Sequence, residues 1–316
     1  MVGNPDELHV PLSRPRYVSA AEADGFLLPD DAVSFIRIGG VYFVYPEVML
    51  GFHHVINEYI EEVPLAITEC MLSGTTHAYV RRVGDRTLTL NSLVATYNGN
   101  MVLEDKETGS RWIQMTGEAF DGALKASSLR LDQTLEKASW SKVRELGPMN
   151  VLAPIVSMEE YRTFAANIRN GGLGLILLEQ RKRADSRLPP YTMGIGVIVQ
   201  GRARFYPLDV IRSMGLSNDE LGGWSLLLLH DSDLDIVRLF RRWVGGRRLT
   251  FSASRDGLRD VETESRWSRA GICLEGPLRG QRLGVPVYSH VYWFAWAAFH
   301  PDTTYAESPE KKKPGP

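Results

Sequence analysis

The chain has 316 residues, of which 44% are hydrophobic, and a formal net charge of −2 at pH 7. This length suits about two domains of roughly 100–200 residues each, and the apolar content is sufficient for their cores. The near-neutral charge excludes the long-range positive field that is typical of proteins that bind nucleic acid or anionic membranes. We therefore expect neither nucleic acid nor a membrane among its partners.

The two ends of the chain and its cysteines indicate where the protein resides. Residues 1–15 lack the basic-then-apolar pattern of a secretory signal, and no segment approaches the ~18 continuous apolar residues of a membrane span. With two cysteines, Cys70 and Cys273, a disulfide framework is not expected. These features predict a cytoplasmic protein with an N-terminal arm at residues 1–32 and a charged, disordered tail at residues 306–316.

A β-rich unit is predicted over residues 33–150. It opens with a hairpin signal, in which two apolar runs flank the turn Gly39-Gly40. A short helix is predicted after Pro46, because proline suits the first turn of a helix. Asn98-Gly99 is a typical turn pair further along. The other strand-like stretches of this unit are Leu65–Glu69, His77–Val83, Thr87–Thr96 and Met101–Asp105.

A linker and a second unit follow. The linker covers residues 151–191 and contains a predicted helix at Met158–Arg169. The second unit, residues 192–305, opens with the same pattern of two apolar runs, here around the turn Gln200-Gly201.

The similar openings reflect an internal repeat. Tyr45-Pro46 recurs as Tyr206-Pro207 at an offset of 161 residues, and the motif Glu-Thr-x-Ser-Arg-Trp at 107–112 recurs at 262–267. Such matches keep their order over a hundred residues, which chance does not produce. The sequence therefore predicts a β-rich α+β fold made of two tandem homologous β-sheet or barrel-like units with short helices.

Further motifs give the chain a family resemblance. They are Tyr45-Pro46, His53, Asn57, Thr68-x-Cys70, Tyr97-Asn98-Gly99-Asn100, Trp112-x-Gln114-x-Thr116-Gly117-Glu118-Ala119, Leu188-Pro189-Pro190 and the stretch from Trp293 to Thr303. Taken together, they make the chain similar to a bacterial family catalogued only as a domain of unknown function, number 3179. The resemblance implies no activity.

One stretch departs from the family pattern. Where the family shows Cys-x-x-Cys, this chain has Cys70-Met71-Leu72-Ser73, and His77 stands where an apolar residue is expected. A pair of thiolates would suit a soft metal or redox chemistry. With Ser73 in place of the second sulfur, the presence of a metal is left open.

The reactive residue types differ between the two units, so we expect the chemistry in the first. The candidate catalytic residues are His53, Cys70, Glu69 and His77. An imidazole can act as a general base or a metal ligand, and a thiol as a nucleophile or a ligand. Because neighbouring side chains on a strand point in opposite directions, Glu69 and Cys70 would share a pocket only if the strand bends. The alternative for each residue is a hydrogen-bonded position in the core.

Polar and aromatic residues of the first unit are candidates for substrate binding. They are Tyr97, Asn98, Asn100, Trp112 and Gln114. Their amides could hold polar groups of a substrate, although Asn98 also suits a simple turn. The recurrence of Trp112 as Trp267 favours a structural role, whereas Gln114 has Arg269 as its counterpart.

The sequence favours an enzyme acting on a small, partly apolar molecule, such as a natural-product intermediate, in a pocket of the first unit. In one form, a transition-metal-dependent oxidoreductase, His53, Cys70 and His77 bind copper, iron or zinc. In the other, a metal-free cyclase or isomerase, His53 with Glu69 or Cys70 does acid–base work without a cofactor. A small-molecule-binding protein without turnover is a third alternative. Phosphate-loop, dinucleotide-binding, nucleophile-elbow and His-Glu-x-x-His motifs are absent, and the substrate and oligomeric state are left open.

Overall fold

The computed structural model describes residues 10–168, 185–254 and 257–307. These residues form two compact units. The first joins the chain up to Thr192 with a returning segment, Ser289–Phe299, and the second comprises residues 193–288 and 300–307. The sequence had placed the returning segment in the second repeat unit. Most of the predicted tail and the first nine residues of the predicted arm lie outside the described residues.

Short strands dominate the chain up to residue 168. They are β1 (Leu12–Ser13), β2 (Tyr17–Val18), β3 (Ala32–Ile38), β4 (Val41–Pro46), β5 (Val55–Ile60), β6 (Val63–Cys70), β7 (Thr75–Val80), β8 (Arg82–Val83), β9 (Arg86–Thr87), β10 (Leu90–Tyr97), β11 (Asn100–Asp105), β12 (Arg111–Ile113), β13 (Ala119–Asp121), β14 (Arg130–Thr134), β15 (Glu136–Ser139) and β16 (Met149–Leu152). The helices are α1 (Ala20–Ala23), α2 (Glu47–His53), α3 (Trp140–Val143) and α4 (Met158–Asn167). The helix predicted after Pro46 is α2, and the predicted linker helix is α4, with Arg169 outside the described residues.

Short strands also dominate the chain from residue 185 onward. Its strands are β17 (Met193–Val199), β18 (Arg202–Pro207), β19 (Leu216–Leu221), β20 (Trp224–Asp231), β21 (Ile236–Arg241), β22 (Trp243–Val244), β23 (Arg247–Arg248), β24 (Phe251–Ser254), β25 (Gly257–Asp260), β26 (Arg266–Trp267), β27 (Cys273–Glu275), β28 (Ser289–Tyr292) and β29 (Thr304–Tyr305). Two helices accompany them, α5 (Leu208–Met214) and α6 (Trp293–Phe299). The β-rich α+β class predicted from the sequence is confirmed. Among the described helices, none combines the length and the apolar character that a membrane crossing requires.

The larger sheets of the first compact unit have the strand orders β1-β5-β6-β7-β14, β15-β3-β4-β16-β2 and β10-β11-β12-β13. Each of these sheets is open and has two edge strands, so the barrel-like alternative is not formed by the described residues. In the second unit, β19-β20-β21 and β24-β25-β26-β27 are open as well.

The sheet that contains β6 buries both of its faces, because side chains alternate along each strand. On one face, Ala66 and Cys70 pack with Leu103 and Trp112. On the other face, Ile67 packs with residues of α2 and of the sheet around β3. We call the strands β5, β6 and β7 the central strands of this unit, since the polar groups described below lie on their two faces.

Several buried hydrogen bonds occur at equivalent positions in both units. Trp112 Nε1 donates to Asp105 at 2.9 Å, and Trp267 Nε1 donates to Asp260 at 2.8 Å. Trp112 is fully buried. Because the same contact recurs in a unit that lacks the candidate catalytic residues, it favours a structural role for Trp112, and the substrate-binding role stays a prediction.

Candidate functional site

Two polar clusters lie on opposite faces of the central strands. The register pairs Glu69 with Thr76, and Cys70 with Thr75. The carboxylate cluster, on the face of Glu69, consists of Ser34, Glu47, Glu69, Thr76 and Lys137. The amide cluster, on the face of Cys70, consists of Thr68, Ser73, Thr75, His77, Asn100 and Gln114. The strand does not bend to bring Glu69 and Cys70 together, in agreement with the alternation of side chains.

The carboxylate cluster is organised around one ammonium group. Lys137 Nζ lies 3.1 Å from Glu47 Oε2 and 3.3 Å from Glu69 Oε2. The hydroxyl of Thr76 donates to Glu69 Oε2, and that of Ser34 donates to Glu47 Oε1. The two described hydrogen bonds of the Glu69 side chain therefore both reach Oε2.

Burial sets the electrostatics of this cluster. It raises the pKa of Glu69 to about 7, since the Lys137 charge only partly opposes the desolvation and Glu47 adds to it. Burial alone would lower the pKa of Lys137, but the two carboxylates outweigh it and the pKa is raised. The Glu69 side chain is 5% exposed, whereas those of Glu47 and Lys137 are 21% and 26% exposed. The cluster therefore meets solvent at Glu47 and Lys137.

Asn100 and Gln114 form the centre of the amide cluster. Asn100 Nδ2 donates to Gln114 Oε1 at 2.8 Å, and Thr75 Oγ1 donates to the same oxygen at 2.6 Å. Gln114 Nε2 donates to Thr68 Oγ1 at 3.0 Å. Both amide side chains are fully buried. Both are predicted substrate-binding residues, and in the structure the polar atoms of each form hydrogen bonds with protein partners.

His77 lies at the edge of the amide cluster. Its Nε2 lies 2.8 Å from Ser289 Oγ, and its Nδ1 lies 3.2 Å from the carbonyl oxygen of Gln114. The residue is fully buried, and burial lowers the pKa of His77 to about 4. Its imidazole is therefore neutral at pH 7.

Cys70 is buried beside Ser73, the residue that replaces the second cysteine of the family pattern. Burial raises the pKa of the Cys70 thiol, although hydrogen bonds from Ser73 act in the other direction. A thiol in this state is a poor nucleophile and a poor metal ligand, because both roles need the thiolate. The structure thus favours the packing role of Cys70.

We expect Cys70 to be almost unreactive in the folded protein. In a Cys273→Ser variant, where Cys70 is the one remaining thiol, alkylation by iodoacetamide at pH 8 should be about 100-fold slower than after unfolding in urea. Mass spectrometry of the intact chain measures both rates. Fast modification of the native variant would instead restore Cys70 as a nucleophile.

His53, the first candidate of the sequence analysis, is used for packing at the end of α2. Its Nδ1 lies 2.9 Å from the carbonyl oxygen of Val10, and its Nε2 lies 3.1 Å from the hydroxyl of Tyr161 on α4. A carbonyl only accepts, so Nδ1 donates and Nε2 accepts from Tyr161. Burial lowers the pKa of His53, which favours the neutral imidazole. The hydrogen bonds of the two ring nitrogens therefore connect α2 with α4 and with the segment that contains Val10.

The predicted metal set is not assembled. His53, Cys70 and His77 do not form a ligand group, and no group of three or more His, Cys, Asp or Glu side chains suited to a metal occurs among residues 10–168, 185–254 and 257–307. The physical reason is their placement, since His53 packs on α4 and His77 packs on the other face of the central strands.

Tyr97 ends β10, and Asn98 begins the exposed turn that follows it. The Tyr97 ring packs against Phe120 and Phe299 with tilted ring planes, and Asn98 Nδ2 donates to the carbonyl oxygen of Ala298 at 3.4 Å. Asn98 has a φ of 49°, which suits the turn predicted for Asn98-Gly99. Neither residue takes part in the hydrogen bonds described for the two clusters.

The charged and nucleophilic groups that sequence reasoning missed are Lys137, Glu47 and Ser289. Lys137 and Glu47 complete the carboxylate cluster, and Ser289 pairs with His77 across 212 residues. The repeat carried a signal for one of them, since the position of Glu47 holds Leu208 in the second unit at the offset of 161.

The comparisons with known proteins give one match. The family described as "Protein of unknown function (DUF3179)" matches residues 10–303. No curated protein and no solved structure matches the chain. The match covers most of the chain, including both compact units and both polar clusters, so the chain belongs to the DUF3179 family.

Proposed function

We propose that the first compact unit is a metal-free acid–base catalyst of the isomerase or cyclase class, in which Glu69 takes and returns a proton of a small, partly apolar substrate. The observation that carries this proposal is the carboxylate cluster, in which a buried carboxyl group lies 3.3 Å from an ammonium group at the edge of an apolar core.

Glu69 suits a general acid–base role. Its pKa of about 7 lets both protonation states exist near neutral pH, which is the condition for efficient proton transfer. Thr76 and Lys137 hold Oε2, so we assign Oε1 to the substrate proton. Ile67, on the same face of β6, belongs to the neighbouring apolar core, which suits a partly apolar molecule.

Lys137 supplies a fixed positive charge. The two carboxylates raise its pKa, so it stays protonated and does not form an imine with a carbonyl substrate. A charge held in place stabilises negative charge that develops on a substrate oxygen when a neighbouring C–H bond gives up its proton. The substrate class is therefore a small carbonyl compound with an acidic C–H group.

The second unit lacks this cluster. At the offset of 161, Leu208, His230 and Val237 stand in place of Glu47, Glu69 and Thr76. A polar set that served the shared fold alone would be expected in both units, as the Trp112 and Trp267 contacts are. The restriction to one unit supports a chemical role.

The test uses a reaction that needs only a base, the ring opening of 5-nitrobenzisoxazole. We expect the full chain to accelerate it, with a rate that rises as pH passes through about 7, where Glu69 loses its proton. Glu69→Gln should lower the rate about 100-fold. Absorbance of the phenol product measures the rate, and circular dichroism verifies the fold of each variant.

Glu58→Gln is the matched control. Counted as whole residues, Glu58 and Glu69 are each 3% exposed, but the carboxylate of Glu58 accepts hydrogen bonds from Tyr17 and Tyr45. This variant should keep the wild-type rate. No acceleration by the wild type, or full activity in Glu69→Gln, would contradict the proposed function.

A further inference from the structure

We propose that Ser289 is a nucleophile activated by His77 and that it accepts small acyl groups from carboxylic esters. The pair lies on the face of the central strands opposite Glu69, and it is independent of the proposed acid–base function. Its basis is a hydrogen-bond chain in which the direction of every proton is determined by the neighbouring groups.

The position of the proton on the His77 ring follows from the hydrogen bond that Tyr79 makes. Its hydroxyl donates to the carbonyl oxygen of Gln114 at 2.7 Å, so the Tyr79 proton is committed to that bond. Among the described residues, the hydrogen-bond partners of His77 Nδ1 are this carbonyl oxygen and the Tyr79 oxygen, each at 3.2 Å. Both then act as acceptors, and Nδ1 must carry the ring proton.

The other ring nitrogen is consequently the base. With the proton on Nδ1, His77 Nε2 holds a lone pair, and the 2.8 Å contact with Ser289 is a bond that the hydroxyl donates. A serine hydroxyl that donates to a histidine, whose second nitrogen is held by a further acceptor, is the arrangement that activates an oxygen nucleophile. Here a backbone carbonyl takes the orienting role that a carboxylate has in other proteins.

The ring is held rigidly in this orientation. His77 is fully buried, and its ring packs edge-on against Tyr79 with a centroid distance of 5.4 Å. Ser289 is 7% exposed. A nucleophile with so little accessible surface admits small acyl groups only, such as acetyl esters of reactive alcohols.

The reaction is balanced by the groups present and water. As Ser289 Oγ attacks the ester carbonyl carbon, its proton passes to His77 Nε2. The bond between that carbon and the alkoxy oxygen then breaks, and the alcohol leaves with the proton from Nε2. Water attacks the acyl-serine with His77 again as the base, which releases the carboxylic acid and restores the hydroxyl.

The test is covalent labelling of the full chain with methanesulfonyl fluoride, whose small sulfonyl group is transferred to an activated serine with release of fluoride. We expect the added mass on the peptide that contains Ser289, and no such adduct in Ser289→Ala. In His77→Gln, labelling should be about 100-fold slower. With 4-nitrophenyl acetate, the wild type should release a burst of about one nitrophenol per chain, which Ser289→Ala should lack.

Ser92→Ala is the matched control. Ser92 has the same 7% exposure as Ser289, but its hydroxyl lies against Met101 Sδ rather than a histidine. This variant should label like the wild type. The proposal is overturned if folded wild-type protein is not labelled on Ser289, or if a folded His77→Gln variant is labelled at the wild-type rate.

Discussion

Replacing Lys137 with methionine is expected to lower the free energy of unfolding by about 3 kcal/mol at pH 8. The Lys137 ammonium lies within 3.3 Å of carboxylate oxygens of both Glu47 and Glu69. Methionine keeps most of the side-chain volume, so the loss arises from two carboxylates left close together without a counter-charge. Most of this loss in stability comes from Glu69, because its side chain is 5% exposed and water solvates the carboxylate poorly.

The size of this loss depends on pH. In the wild type, the pKa of Glu69 is raised from 4.5 to about 7, so the folded state binds this proton more tightly than the unfolded chain does. The resulting stabilisation is fully present below pH 4.5 and is lost as pH rises through 7. Because the Lys137 charge lowers the pKa of Glu69, its removal raises that pKa further. Lys137→Met is therefore expected to cost less at pH 5, where Glu69 is protonated in both proteins.

Urea unfolding at pH 5 and pH 8 measures the effect. Lys125→Met is the control, since Lys125 is exposed and its change should stay within about 0.5 kcal/mol. Equal stability of Lys137→Met and the wild type at pH 8 would show that the ammonium does not compensate the two carboxylates. A pH-independent loss would show that Glu69 does not titrate near 7.

The alternation of side chains along β6 was readable in the sequence, and it correctly separated Glu69 from Cys70. The helix after Pro46 was readable for a similar reason, because a proline at a strand end is a local signal. Such features depend on residues that are close in the chain. They determine the faces on which the candidate residues lie, but not the partners that they meet there.

The partners come from distant segments, and this is why they could not be predicted. Lys137 reaches Glu69 because β15 pairs with β3, where Lys137 lies opposite Ser34. Ser289 reaches His77 from a returning segment that the repeat pattern had assigned to the second unit. His53 was misleading because a histidine whose two nitrogens are satisfied by Val10 and Tyr161 has the same sequence signature as a reactive one.

The amide cluster allows a second large effect to be predicted. Gln114→Ala is expected to lower the free energy of unfolding by about 3 kcal/mol. The variant removes the acceptor shared by Thr75 and Asn100 and the donor to Thr68, all of which are fully buried. These groups cannot regain bonds with bulk water, and the lost side chain leaves a cavity between the central strands and the sheet of β11 and β12.

A double-mutant cycle separates these two contributions. Asn100→Ala removes the amide that donates to Gln114 at 2.8 Å, so the second substitution should cost less once the first is made. A coupling energy of about 1 kcal/mol or more is expected from urea unfolding of the two single variants and the double variant. Gln133→Ala serves as the control, because Gln133 is an exposed glutamine on β14. If the two substitutions were additive, the amides would stabilise the unit independently, and the hydrogen bond between them would not be the reason for their burial.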